Sequence, residues 1–258
     1  TDVLAGSSVD SDTLPVTVPV REIAGSLVID VTLGDGGRTV PMVLDTGGPT
    51  IVSERVAEVF TDGSAGSVAI TSPKGEVLTS EVVRLPELSI GGARFSNVGA
   101  VVGSLEPGNP SYCLTETGFI GASLLQTGAW QLDPRSSTLT IAASVEDLSL
   151  AEDAWRLDFE RASKVSPSPL LELAAGSGTL RVLLDTGSGA WFAASPADFA
   201  AVDGVVRVDA PVEEWLTSSI GGSGAARAAW STLSVEPAAS ALPDPLPITV
   251  VDTLPPRV

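Results

Sequence analysis

Asp-Thr-Gly occurs twice in this chain of 258 residues, at Asp45-Thr46-Gly47 and at Asp185-Thr186-Gly187, each time directly after an apolar run: Met42-Val43-Leu44 before the first, Val182-Leu183-Leu184 before the second. Such a run ending in a glycine-containing tripeptide predicts a buried strand that feeds a tight loop. One copy alone would be an ordinary polar turn, because Asp and Gly are common turn formers. Two copies with matched lead-ins point instead to two carboxylates that act together.

The offset between the aspartates, 185 − 45 = 140, extends beyond the tripeptides and marks an internal duplication. Leu27 to Leu33 reads as an alternating strand, Gly34 to Gly37 as a turn and Arg38 to Leu44 as the strand leading to Asp45. The second copy has Leu170 to Leu173, a turn at Gly176-Ser177-Gly178, then Thr179 to Leu184; Leu33 maps onto Leu173 and Gly36 onto Gly176. Val16 to Val20 and Trp155 to Phe159 read as the two first strands. Ser53 before Glu54 to Phe60, and Ser195 to Asp198 before Phe199 to Val202, read as short N-capped helices. The pattern predicts an all-β fold of two pseudo-twofold-related lobes with short helices, a single-chain pseudo-dimer expected to be a monomer. Residues 1–14 are expected to be a flexible arm, 15–142 the first lobe, 143–154 a linker and 155–258 the second lobe.

Gly118-Phe119-Ile120-Gly121-Ala122-Ser123-Leu124-Leu125 is an apolar segment interrupted by glycines, at which another stretch of backbone can approach closely. Its counterpart at the same offset would start near 261, past Val258, so the second lobe is expected to be shortened at its C-terminus. An equivalent segment is expected within about ten residues of that point. Thr1 is not an initiator Met and no signal-type apolar stretch follows it, so a processed or excerpted chain is expected, in keeping with secretion or a periplasmic location after signal removal.

Composition removes several function classes. The 32 acidic and 14 basic residues give a net charge of −18, which repels phosphate backbones and anionic headgroups and argues against a nucleic-acid partner. No run of 18 apolar residues is present to insert into a membrane. The single cysteine, Cys113, cannot form an internal disulfide and is expected to be a small buried residue. With no histidine, neither a Ser-His-Asp arrangement nor a His-ligated zinc site can be assembled, and no metal or cofactor is expected. Gly34 to Gly37 and Gly221 to Gly224 lack phosphate-binding spacing and read as hairpin turns, and Thr71-Ser72-Pro73-Lys74 reads as a hairpin tip and not a Ser/Lys nucleophile.

Two carboxyl groups within hydrogen-bonding distance cannot both ionise easily and share one proton. A water held between Asp45 and Asp185 can then lose a proton to the ionised group while attacking an amide carbonyl, and the protonated group donates to the carbonyl oxygen. In the supporting loops, Gly47 and Gly187 allow close approach, and the Thr46 and Thr186 hydroxyls can bond backbone across the axis.

These residues resemble the retropepsin and pepsin superfamily of aspartic peptidases, particularly two-lobed bacterial aspartyl protease-like proteins; proton sharing between two aspartates is established for that class. The resemblance rests on Val43 to Gly47, on Leu183 to Gly187 with Ser188, on Phe119-Ile120-Gly121 as the backing segment, and on Trp130 to Asp133 with Leu139 to Ile141 as lobe-closing strands. It implies a bilobal β fold and an endopeptidase acting on a peptide or unfolded protein, with Asp45 and Asp185 catalytic. The sequence departs from the pepsin pattern at three places. The only tyrosine, Tyr112, is outside the flap region, so residues 66–80 with Lys74-Gly75 at the tip are the candidate flap. Pro49 stands where many relatives have a small hydroxyl residue, and the second apolar-apolar-Gly segment is missing. The first two of these departures keep a second reading open, a catalytically inactive module that binds peptide or glycan.

Overall fold

The computed structural model describes residues 4–23, 25–35, 37–71, 77–103, 117–152, 158–164, 166–175, 178–187 and 191–195, and the strand backbone of 206–207, 213–219, 222–228, 231–232, 235–236 and 249–250. The protein is mostly β, with few short helices. In chain order the first part contains β1 (Ser8–Val9), β2 (Val16–Pro19), β3 (Arg21–Ile23), β4 (Ser26–Leu33), β5 (Arg38–Asp45), β6 (Ile51–Ser53), α1 (Glu54–Phe60), β7 (Ser64–Thr71), β8 (Val77–Ile90), β9 (Ala93–Gly103), β10 (Gly118–Gly121), α2 (Ala122–Leu125), β11 (Ala129–Asp133) and β12 (Thr138–Ala142). Farther along, β13 (Phe159–Arg161), β14 (Pro169–Ala175), β15 (Gly178–Asp185) and β16 (Trp191–Ala194) form one sheet in that order, with Val235–Glu236 on β14 and Thr249–Val250 parallel to β16. Among the described residues no helix is long and apolar enough to cross a membrane.

Strand alternation explains the first core. Leu27, Ile29, Val31 and Leu33 of β4 and Val40, Met42 and Leu44 of β5 all enter one buried cluster, as residues two apart on a pleated strand must. Strand pairing runs β9–β6–β10–β5–β4–β8, and a further β8–β9 pairing returns the path to its start, so the ring leaves no open edge along it. β8 is long enough to do two jobs: residues 82–90 pair with β9, while 77–83 pair with β7 in a hairpin that leaves the ring. That hairpin contains the candidate flap, whose tip with Lys74 and Gly75 lies outside the described residues. Ser53 caps α1 by accepting from the Val56 N–H at 3.3 Å, and the Ser144–Asp147 capping box closes the turn at 145–147 in the connection after β12.

Four expectations need correction. The arm is not loose over residues 4–14: β1 pairs with β9, Leu4 is only 2% exposed, and the Arg84 guanidinium and Asn97 amide donate to the Ala5 and Gly6 carbonyls at 2.9 and 3.0 Å. Arg94 adds an ion pair to Asp10. Polar composition hid this docking because one apolar side chain, strand pairing and polar side chains from the sheet carry it.

Second, Val16–Pro19 is not the equivalent of the strand at Phe159. It joins β12 in a separate three-stranded sheet, and β13 instead pairs with β14 as β3 pairs with β4. Third, Leu33 opposes Arg38 with four residues between them in the chain, whereas Ala175 opposes Gly178 with two, so the register partner of Leu33 is Ala175 and not Leu173. Fourth, Gly222 to Gly224 lie within a strand that pairs with 213–219 and are not turn residues. Trp155 to Leu157, Cys113, Gly36, the turn residues Gly176 and Ser177, and the helix expected at 199–202 lie outside the described residues.

Leu4 packs with Ile51, Val82 and Val101, and a Cβ on Gly99 would come within 2.9 Å of its Cα, so the segment and the sheet are shaped to each other. Leu4→Ala is expected to lower the unfolding free energy by about 2 kcal/mol, the lower end for a buried leucine, in urea denaturation followed by fluorescence. An unchanged midpoint would show that the docked arm adds nothing to stability.

Candidate active site

β5 and β15 end in the two Asp-Thr-Gly loops. With Val40, Met42 and Leu44 of β5 facing the core, the period of two places Asp45 on the opposite face, with Val43. The loops then meet through reciprocal hydrogen bonds. The Thr46 hydroxyl donates to the Leu184 carbonyl at 2.7 Å and accepts from the Thr186 N–H at 3.0 Å. The Thr186 hydroxyl donates to the Leu44 carbonyl at 2.8 Å and accepts from the Thr46 N–H at 3.1 Å. Each threonine hydroxyl is used as donor and acceptor at once, both bonds crossing to the other loop.

The carboxyl groups are ordered in the same reciprocal way. Gly47 N–H donates to Asp45 Oδ1 at 2.8 Å, and Gly187 N–H donates to Asp185 Oδ1 at 2.9 Å. A Cβ on Gly47 would overlap the Asp185 carboxyl, with Oδ2 at 2.7 Å, and one on Gly187 would lie 2.7 Å from Asp45 Cγ. Each carboxyl therefore rests on the other loop's glycine, and any side chain there would drive the pair apart. Asp45 and Asp185 are close enough to hydrogen-bond to each other. Burial, then the Asp185 charge, then that hydrogen bond push the Asp45 carboxyl well above the ordinary carboxylate range, opposed by the Gly47 and Gly48 backbone N–H groups.

Behind the first loop, β10 runs parallel to β5 with Ile120 opposite Leu44 and Gly121 opposite Asp45. Ile120 is fully buried, and a Cβ on Gly121 would overlap the Pro49 carbonyl. β10 also pairs with β6, so it is wedged between the strands before and after the loop. In the later sheet no strand among the described residues occupies this place: β15 and β16 pair directly, Leu183 opposite Ala193 and Asp185 opposite Trp191. Ser188 lies outside the described residues.

Sequence reasoning missed three groups. Gly48 is a neighbour of the Asp45 carboxyl: a Cβ there would lie 3.1 Å from Oδ2, and its N–H supports the carboxylate. Thr50 and Ser123, both buried, hydrogen-bond to each other behind the loop. The available signal was that α2 begins at a glycine with no side-chain cap, so its first N–H groups needed partners from elsewhere.

Residues 29–124 match the profile of a family described as aspartyl protease. The match supports assigning that stretch of the chain to the aspartyl protease family. No curated protein sequence matches the chain significantly. The aspartyl protease match runs from β4 through α2, so it contains Asp45 and its backing segment but ends before Asp185; the second carboxyl is placed beside the first by the loop geometry.

The raised proton affinity of Asp45 has a signed consequence for stability. The folded state holds this proton more tightly than the unfolded chain, so the contribution is complete below the ordinary aspartate value of about 3.9 and is lost as pH rises through the folded value. Asp45→Asn removes the ionisation. It is expected to melt higher than the parent at neutral pH, with the gain shrinking toward zero as pH falls below the ordinary aspartate range. Calorimetric melts of both proteins between pH 3 and 7 check this, and a pH-independent difference would contradict a proton-sharing pair.

Proposed function

We propose that this chain is an endopeptidase that cleaves extended peptide segments by water activated between Asp45 and Asp185. The observation that carries the reading is the hydrogen-bonded carboxyl pair, each member held over the other's loop glycine, with the proton affinity of Asp45 raised. One carboxyl is ionised and the other protonated at working pH, as two acids this close require. The ionised group accepts a proton from a bound water as its oxygen attacks the scissile carbonyl carbon, and the protonated group donates to the carbonyl oxygen, giving a tetrahedral diol. The cycle closes when a diol proton returns to one carboxylate, the amide nitrogen takes a proton from the other, and the carbon–nitrogen bond breaks. No covalent enzyme intermediate is needed. The substrate is a peptide or unfolded protein, entering beneath the hairpin of β7 and β8.

A second reading is a module that captures peptide or glycan without hydrolysis. What favours it is Gly48, which offers no hydroxyl at a place where a side chain would lie against Asp45 Oδ2. One experiment separates the two. Digestion of an unfolded protein across pH 3 to 8 is expected to show cleavage by the parent chain, with kcat reduced by about 10²- to 10⁴-fold or more in Asp45→Asn and in Asp185→Asn. A statine-type mimic of the tetrahedral diol is expected to inhibit. Peptide affinity with no cleavage at any pH would select the binding module, and equal turnover by either Asn variant would reject the two-aspartate mechanism.

A further inference from the structure

The Asp45 loop is fastened at two places. At the front, Thr46 is locked to the opposite loop by its exchange with Thr186. At the back, residues 48–50 are fastened to the start of α2. The Gly48 carbonyl accepts from the Ala122 N–H at 2.8 Å, acting as the cap that Gly121 cannot supply with a side chain of its own. Thr50 N–H donates to Ser123 Oγ at 2.9 Å, and Ser123 Oγ–H donates to Thr50 Oγ1 at 3.0 Å, which closes a ring of two residues. Thr50 Oγ1 also accepts from the Gly121 N–H at 3.2 Å, and the Thr50 carbonyl accepts from the Val101 N–H at 2.9 Å.

Thr50 is fully buried and Ser123 is 3% exposed, so water cannot stand in for a lost partner without opening the site. Both hydroxyls are committed to this ring. Ser123 spends its one hydrogen on Thr50, and Thr50 Oγ1 receives two donors, which uses both of its lone pairs. Gly121, one of those donors, is the residue opposite Asp45 in the β5–β10 register. The ring therefore ties the backbone directly behind the carboxyl to the loop that leaves it. If the back fastening is removed while the front remains, the loop keeps its anchor at Thr46 but can pivot on it, and Asp45 turns relative to Asp185.

We propose that Thr50 and Ser123 are positioning residues that hold the Asp45 carboxyl in register with Asp185, and that this ring, not the loop sequence alone, sets the geometry of the pair. The inference rests on the peptidase reading for its effect on turnover, and on the carboxyl pair alone for its effect on titration.

Thr50→Val keeps the shape and removes the hydroxyl; Thr50→Ser keeps the hydroxyl and removes the methyl. Ser123→Ala breaks the same ring from the other side and covers the case in which Thr50→Val does not fold. In folded protein, Thr50→Val and Ser123→Ala are each expected to lower kcat about 10- to 100-fold with KM within about twofold, as sub-ångström to ångström misplacement of a reacting group does, and Thr50→Ser is expected to recover most of the loss. A double variant is expected to be little worse than either single one, because both remove one ring.

A second readout needs no turnover: carbon-13 NMR of labelled aspartates follows the carboxyl titration, and the Asp45 midpoint is expected to fall toward the ordinary range in both ring-breaking variants. If the parent chain cleaves peptides and neither kcat nor the midpoint changes, the positioning role is overturned while the peptidase reading stands. A parent that cleaves nothing, with a midpoint that still falls in the variants, would support positioning and end the peptidase reading. Equal loss of kcat in Thr50→Ser and Thr50→Val would also overturn the proposal, because the hydroxyl would then be irrelevant.

Discussion

The reciprocal threonine exchange between the two loops is the interaction on which the rest depends. Bringing two carboxyls together is unfavourable: two unit charges at about 4 Å repel by about 4 kcal/mol at an effective dielectric of 20. Four hydrogen bonds between Thr46, Thr186 and the carbonyls of Leu44 and Leu184 offset this, each contributing about 0.5–1.5 kcal/mol. The two quantities are of the same size, so the exchange can hold the loops together but leaves little surplus for a doubly ionised pair. Proton sharing removes most of the repulsion. The raised proton affinity of Asp45 thus follows from its burial first and then from the Asp185 charge that the joined loops bring beside it.

Glycine sets the distance that the threonines hold. Gly47 and Gly187 are needed because a carboxyl occupies the space where each would carry a Cβ, and Gly121 is needed because the Pro49 carbonyl does. These are three close approaches of different kinds, two of backbone to carboxyl and one of backbone to backbone. The Asp-Thr-Gly tripeptide combines the charge, the cross-loop hydroxyl and the missing side chain in three consecutive residues. That economy explains why a duplicated tripeptide, and not a longer conserved-looking stretch, was the informative part of the sequence.

Features set by neighbouring residues were legible. Leu27 to Leu33 and Arg38 to Leu44 alternate as strands and pair as a hairpin, and Ser53 caps the helix at Glu54–Phe60. Features set by distant partners were not. Val16–Pro19 looks like any first strand, and only its pairing with residues 138–141 reveals a separate sheet. Leu4 lies in a polar stretch, and its burial depends on Ile51, Val82 and Val101. Within the candidate site, the aspartates and threonines were readable because they repeat, whereas Thr50 and Ser123 occur once each and gain meaning only from the short distance between them. The shift of two residues between the hairpins was hidden because the fixed offset holds at the aspartates and fails across the turns.

Among the described residues the two sheets that deliver the aspartates are not equivalent behind the loops, and this bears on which carboxyl is the better fixed. Asp45 leaves a strand flanked by β10, which also pairs with β6, so the strands before and after its loop are joined through a third. Beyond it, Thr50 bonds to Val101 of β9, and Ile51 packs on the docked Leu4. Asp185 leaves a strand paired directly with β16, without an inserted neighbour among the described residues. A direct hairpin-like pairing constrains the loop through two strands, while the wedge constrains it through three strands, a helix start and the N-terminal segment. Among the described residues the first loop therefore has the broader support, and the threonine exchange ties the second loop to it. Damage behind Asp45 should propagate across that exchange to both carboxyls, whereas changes behind Asp185 are met by a partner loop that already has its own support.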